Sequence, residues 1–171
     1  MLFLSLGSNE GHELENLLEA CRQIKGKIIR GNLKCSAVYE TPPWGNLNQK
    51  PFLNMAVAGE TQLLPEQVLE EVLQIEQKMG RLRAEKWGPR MIDIDLLFQG
   101  RVVLNTPELT LPHPFADQRL FVLKPMLDLA PDFIHPVAGK TMKELADACL
   151  EEHFKEKMTA AEFRQLLNSA I

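Results

Sequence analysis

Asp93 and Asp95 are the only charged residues in an otherwise apolar run, Met91 to Phe98, that reads MIDIDLLF. Residues two apart on a strand project from one face. Two ionised carboxylates there lie about 7 Å apart and repel by roughly 2 kcal/mol at an effective dielectric near 20. A solvated outer strand face usually carries Lys, Thr or Ser as well, and this one carries none. A carboxylate pair of this kind suits Mg²⁺, a hard cation that takes one or two protein oxygens and keeps substrate phosphates in its shell. Directly upstream, RLRAEKWGPR supplies Arg81, Arg83, Lys86 and Arg90. Arginine forks match phosphate oxygens in pairs. Acids for a metal beside arginines for phosphates describe a polyphosphate site.

Other residues suggest a second ligand. The loop TPPWGNLNQKP and the strand after it bring Trp44, Phe52 and Asn54 close in sequence, and Trp87 sits in the basic loop. A flat heterocycle stacked on rings, with an amide reading its polar edge, accounts for them. His113, between two prolines in LPHPF, is either a structural histidine or a phosphate contact. His12, His135 and His153 have no metal-ligand spacing and read as structural or surface residues. Neither GxxxxGK[ST] nor GxGxxG occurs, and the Gly7-Ser8-Asn9 turn reads as a lead into a helix rather than a phosphate cradle.

The bulk numbers narrow the class. The 171 residues suit one domain with its own core, and the net charge of −4 argues against general nucleic-acid binding. No run approaches the roughly 20 apolar residues of a membrane span. The opening LFLSLG is too short and lacks a basic flank for a signal peptide. Cys21, Cys35 and Cys149 are odd in number and widely spaced, which reads as reduced thiols in a cytoplasmic protein. A monomer acting on small molecules, without nucleic acid or membrane, is expected.

The elements that must position these residues follow from hydrophobic period. LFLSL is a buried strand. Leu14, Leu17, Leu18, Cys21 and Ile24 mark a helix. KIIRGNLKCSAVYET is extended, and FLNMAVAGET is a third strand. Pro65 opens a second helix with Val68, Leu69, Val72, Leu73, Ile75 and Met79 as its stripe, and Gly80 stops it. The run from Met91 to Phe98 is the fourth strand, with Ile92, Ile94, Leu96 and Phe98 toward the core. The order β-α-β-β-α-β predicts an α+β, ferredoxin-like antiparallel sheet with helices on one face, the other face being free for a ligand. GRVVLN suggests a further strand paired with the fourth. Helices are expected over 115–129, in TMKELADACLEE and in TAAEFRQLLNSA, the last two with Thr as N-cap. The chain divides into one domain over 1–158 and a helical tail over 159–171. The residues alone leave open a nucleotidyltransferase or nuclease built on the same acids, and a ligand-sensing module.

Taken together, LGSN, YETPPWG, FLN, GRLRAEKWGPRMIDIDLLF, LTLPHP and RLFVLKP occur in an order and spacing that resembles the 6-hydroxymethyl-7,8-dihydropterin pyrophosphokinase family, from residue 2 to about 145. The resemblance implies transfer of pyrophosphate from ATP to the hydroxymethyl oxygen of the dihydropterin, releasing AMP, in folate biosynthesis. It implies two Mg²⁺ ions on Asp93 and Asp95, with Arg81 and Arg90 joining them in catalysis. It implies ATP contacts from Glu76, Arg83, Trp87, Arg90, Leu96, Thr110, His113 and Arg119. For the pterin it implies Phe52 and Phe121 as sandwiching rings, with Asn54 and the loop of Thr41, Pro42 and Trp44 reading the edge. Glu108 stands where some members carry a basic ATP contact, and Pro114 where some carry Tyr; no role is carried over to either.

Overall fold

Strand β1 (Leu2–Ser8) lies inside the sheet and is buried along its length, with Leu2, Leu4 and Leu6 alternating with Phe3, Ser5 and Gly7. Helix α1 (Glu13–Lys27) follows, then β2 (Lys34–Cys35), β3 (Val38–Thr41), β4 (Phe52–Gly59) and α2 (Pro65–Lys78). After these come β5 (Asp93–Gln99), β6 (Leu104–Asn105), β7 (Thr110–Leu111), α3 (Leu120–Leu129), α4 (Met142–Asp147), β8 (Lys155–Met158) and α5 (Ala160–Ser169). The computed structural model describes residues 1–43, 48–80, 91–149 and 154–169. The main sheet is antiparallel in the order β5-β1-β4-β3-β8, with β2 also paired to β4. Its β5-β1-β4-β3 portion is the ferredoxin-like arrangement that the element order predicts.

Alternation sorts the side chains of the sheet. Leu2, Leu4 and Leu6 of β1, Met55 and Val57 of β4, and Ile94 and Leu96 of β5 join one core with Leu17, Cys21 and Ile24 of α1 and Val68, Val72 and Ile75 of α2. Both helices of the β-α-β-β-α-β unit thus cover one face, as expected. The opposite face is not wholly free. Phe3, Ala58, Leu97 and Phe98 form a second core under Val122, Leu123 and Met126 of α3 and Met142 and Leu145 of α4. The remainder of that face, toward the start of β5, is the open part.

Several expectations need correction. Phe98 joins the second core, not the one holding Ile94 and Leu96. The cause is a β-bulge: Phe3 pairs with Phe98 but Leu4 with Leu96, so Leu97 is an extra residue and the alternation flips beyond it. Residues in GRVVLN do not pair with the fourth strand. Gly100, at φ 55°, donates its N–H to the Met1 carbonyl, and the chain turns away so that β6 pairs with β7 instead. The extended stretch after α1 is two strands; between them Ser36 Oγ accepts from the Ala56 N–H. The helix expected over 115–129 begins only at Leu120. Strand β8, the charged KEKM, escapes sequence reading because it is an edge strand whose Lys155, Glu156 and Lys157 are exposed.

The two Thr caps form as expected. Thr141 and Glu144, and Thr159 and Glu162, exchange backbone and side-chain hydrogen bonds, and these bonds hold both glutamate carboxyls below the usual carboxylate range. Phe163 and Leu167 of α5 are buried in the same core as α1. Cys21 and Cys35 are buried free thiols. Among the described residues, no helix is long and apolar enough to cross a membrane.

Candidate active site

The acids lie where alternation puts them. Asp93 and Asp95 are half-buried on the partly open face, while Ile92 and Ile94 are buried behind them. Across β1 they meet only small residues: Asp93 pairs with Gly7 and Asp95 with Ser5. No bulky side chain from β1 covers the carboxylates. As β5 is a sheet edge, its outward backbone groups need other partners. The Ile94 N–H donates to Glu76 Oε1 at 2.8 Å, and the Leu97 carbonyl accepts from the His113 N–H at 3.0 Å.

That second bond brings the LPHPF segment against the acids. His113 Nε2 lies 3.9 Å from Asp95 Oδ1. Burial, and then the Arg119 guanidinium, push the His113 pKa below its ordinary value, against a weaker opposing pull from Asp93. Burial and Arg119 both favour the neutral ring. Arg119 precedes α3, with its guanidinium carbon 4.3 Å from the centre of the Phe115 ring and 5.6 Å from that of Phe121. Such stacking holds a cation in a fixed plane. Phe115, exposed here, had no signal of its own in the sequence.

One sheet row further, Gly7 pairs with Asn54, and Asn54 with Tyr39. Asn54 is buried, and its Nδ2 donates to Thr41 Oγ1 at 2.6 Å. A Cβ on Gly7 would lie 2.8 Å from Asn54 Oδ1 and 3.7 Å from the Phe52 ring. Glycine is required here by the close approach of that amide. Phe52, Asn54 and Thr41 thus gather around Gly7, adjoining Asp93. Pro42 is exposed beside them.

Sequence reasoning missed the ties that hold this arrangement. Ser8 Oγ donates to the Met91 carbonyl and accepts from Asn16 Nδ2, which also donates to the Glu10 carbonyl. Asn9 Nδ2 donates to Gln49 Oε1 and to the Lys50 carbonyl. The LGSN turn therefore fastens the entry to the acidic strand and the end of the 41–51 loop. Asp128 of α3 accepts from the Tyr39 hydroxyl at 2.8 Å and from the Ala37 N–H at 3.0 Å, anchoring α3 across β3. Burial, with Asp128 alongside, raises the Tyr39 pKa, so the phenol remains a donor. The only signals were isolated polar residues, such as Asn16 in α1 and Asp128 in α3, which solvent exposure alone also explains.

Three further expected site residues lie in β5 or in elements that contact it. Thr110 Oγ1 donates to Asn105 Oδ1 at 3.3 Å within the β6-β7 pair. The Leu96 side chain is buried in the core on the helical side, and Glu76 is buried behind β5. Trp44, Arg81, Arg83, Lys86, Trp87 and Arg90 lie outside the described residues.

This site can be set beside known proteins. The family model for 7,8-dihydro-6-hydroxymethylpterin-pyrophosphokinase (HPPK) matches residues 3–131. The chain is 39% identical over 143 residues to the 2-amino-4-hydroxy-6-hydroxymethyldihydropteridine pyrophosphokinase of Aquifex aeolicus, covering 84% of this chain and 88% of that protein. It is 42% identical over 142 residues to the Methylorubrum extorquens protein of the same name, covering 83% of this chain and 89% of that one. The folic acid synthesis protein fol1 of Pneumocystis carinii is 38% identical over 154 residues, 90% of this chain, which spans only 21% of that longer protein. Among solved structures, Plasmodium falciparum HPPK-DHPS superposes with a TM-score of 0.68 at 16% identity, over 85% of this chain and 42% of that one. At such identity the likeness bears on the fold alone. By the family model and the extent of its full-length relatives, this chain belongs to the HPPK family, whose members transfer pyrophosphate from ATP to hydroxymethyldihydropterin in folate biosynthesis.

Proposed function

We propose that this chain carries out that transfer on the open half of its sheet face, with ATP over β5 and the pterin over β4. The observation that carries the reading is the row formed by Asp93, Gly7 and Asn54: an acid for the phosphate side next to an amide for the heterocycle, with a glycine between. In this reading Asn54 and Thr41, with Pro42 and Trp44, recognise the pterin edge, and Phe52 and Phe121 sandwich its ring. His113, Arg119, Thr110, the Leu96 backbone, Arg83, Trp87 and Arg90 hold ATP, and Arg81 and Arg90 act on the transferring group.

Mg²⁺ fits these residues. Asp93 and Asp95 offer hard oxygens on one side of a strand, unobstructed from β1, and a two-carboxylate donor set leaves the other positions for water and phosphate. Two ions held by Asp93 and Asp95 would neutralise the triphosphate and the carboxylate repulsion together. The chain's own contribution is orientation. The pterin slot holds the hydroxymethyl oxygen, and the arginines hold the triphosphate, so that attacker, β-phosphorus and leaving oxygen fall in line. Neutral His113 donates or accepts a hydrogen bond beside Asp95 without adding a charge. No general base is required, because a loose phosphoryl-type transition state leaves the attacking hydroxyl its proton until late. The enzyme acts as a monomer on small molecules.

Incubation with ATP, Mg²⁺ and 6-hydroxymethyl-7,8-dihydropterin, followed by mass analysis, tests this. The expected products are AMP and the pterin diphosphate, lost when Mg²⁺ is chelated. ADP would mean phosphoryl transfer, and free pyrophosphate would mean nucleotidyl transfer; either result discards the reading.

A further inference from the structure

We infer that Phe115 is a positioning residue for the nucleotide: its ring presets the Arg119 guanidinium near His113, so that the triphosphate meets a cation already in place. This rests on the reading of Arg119 as an ATP contact. Phe115 follows the LPHP segment and is 43% exposed. Its ring centre lies 4.3 Å from the Arg119 guanidinium carbon and 6.4 Å from the centre of the His113 ring. Single exposed apolar residues are ordinary on a protein surface. This one is set apart by its neighbours. His113 Nε2 reaches within 3.9 Å of Asp95 Oδ1, and the Arg119 charge is close enough to His113 to lower its pKa.

The turn that carries these groups is short and internally bonded. The Phe115 N–H donates to His113 Nδ1 at 3.4 Å, the Ala116 N–H to the His113 carbonyl at 3.0 Å, and the Gln118 N–H to the Phe115 carbonyl at 3.3 Å. Ala116 is buried in the second core and pins the turn there. An exposed ring on a fixed backbone is a platform. Arginine has many rotamers, and one that meets a phosphate must give most of them up. A ring face attracts the cation and restricts those rotamers before the ligand arrives. The guanidinium is gripped at its carbon, and N–H donors at the rim of the planar group can still aim at phosphate oxygens. Phe121 approaches the same guanidinium at 5.6 Å. Phe115 is therefore one of the groups that hold Arg119, and the nearer of these two rings.

The test compares Phe115→Leu, which keeps apolar bulk without a ring face, with Phe115→Tyr, which keeps the face. Each is made alone and together with Arg119→Gln. Calorimetry with Mg²⁺ and a nonhydrolysable ATP analogue reads affinity, and the Arg119 Nε–H resonance of the nucleotide-free protein reads position. Phe115→Leu is expected to bind the analogue about fivefold more weakly, the size of a partly exposed cation–π contact, and to lose the ring-current shift of that resonance. Phe115→Tyr should stay within about twofold of wild type and keep the shift. Beside Arg119→Gln, Phe115→Leu should cost no further affinity. Wild-type affinity in Phe115→Leu overturns the inference, as do equal losses in the Leu and Tyr variants or a loss that persists undiminished beside Arg119→Gln. Melting temperatures should be unchanged, because the ring is half exposed; should Phe115→Leu not fold, Phe115→Met decides by the same measurements. Arg119→Gln alone is the separate control. If it binds the analogue as tightly as wild type, the nucleotide reading of Arg119 fails and takes the inference with it. If it binds weakly but the Arg119 resonance is unmoved in Phe115→Leu, the inference alone fails.

Discussion

The two halves of one sheet face differ more than any two elements of the molecule. On the half under α3 and α4, Phe3, Leu97 and Phe98 pack against Val122, Met126 and Met142, with Phe133 5.0 Å from the Phe3 and Phe98 rings. On the other half, the same strands present Ser5, Gly7, Asn54, Asp93 and Asp95. Both halves belong to the same antiparallel strands. The difference lies in what the side chains require above them. Aromatic and aliphatic groups gain about 25 cal/mol per Å² when a helix covers them, whereas carboxylates and a buried amide lose hydration and need ligands in place of a roof. The bulge at Leu97 falls at the boundary and turns Phe98 toward the covered half. A site and a core can therefore share strands, provided the chemistry changes where the register does.

Substitutions on the two halves should separate activity from stability. The largest effect is expected for Asp95→Ala or Asp93→Ala. AMP formation should fall at least about a thousandfold, the several kcal/mol that metal-assisted charge stabilisation supplies. The melting temperature should equal or exceed that of wild type, since a like-charge repulsion is removed. A clear drop in melting temperature would show that the acids hold the fold together.

Phe98→Ala on the covered half should do the opposite. It should cost about 3–5 kcal/mol in urea unfolding, as truncation of a buried aromatic does, while the folded fraction keeps its KM for ATP. Loss of ATP affinity without loss of stability would erase the distinction between the halves.

Gly7→Ala probes the seam between acid and amide. Its Cβ would meet Asn54 Oδ1 at 2.8 Å, so the amide must move. We expect the KM for the pterin to rise about tenfold, roughly 1.4 kcal/mol, with the KM for ATP nearly unchanged. Equal rises in both would place Asn54 outside a pterin-specific role.

The smallest effect concerns pH. His135 is buried, its ring meets Phe98 edge-on, and its Nδ1 accepts from the Val137 and Ala138 N–H groups. Burial lowers its pKa in the folded state. The unfolded chain therefore takes up this proton first as pH falls. The stability tied to neutral His135 is present above the ordinary histidine value, about 6.5, and declines as pH drops from there through the lowered one. Urea midpoints from pH 7.5 to 5 should show that decline, and His135→Asn should flatten it. An unchanged slope in the variant would assign the acid sensitivity to other groups.

Much of this arrangement is legible in the chain. The stripe of α1, the Pro65 start and the Thr141 and Thr159 caps each depend on residues within a turn or two, and each forms as expected; the α2 stripe forms through Val68, Val72 and Ile75, while Leu73, expected in it, is exposed. The side of the strand taken by Asp93 and Asp95 is equally local, because successive strand residues must point opposite ways. The flip of Phe98 is not local: it depends on which residue of β1 lies across from it. Strand β8 depends on an edge of β3 being available, since KEKM has no apolar alternation of its own.

Local order thus dictates that two acids share a face beside a basic segment, because backbone stereochemistry acts over one or two residues. Folding alone determines what surrounds them. Gly7 and Asn54 arrive through strand pairing, His113 through a backbone bond to Leu97, and Glu76 from 18 residues upstream of Ile94. These partners come together only when distant segments are packed, where unmet hydrogen-bonding groups and uncovered apolar surface must both be resolved at once.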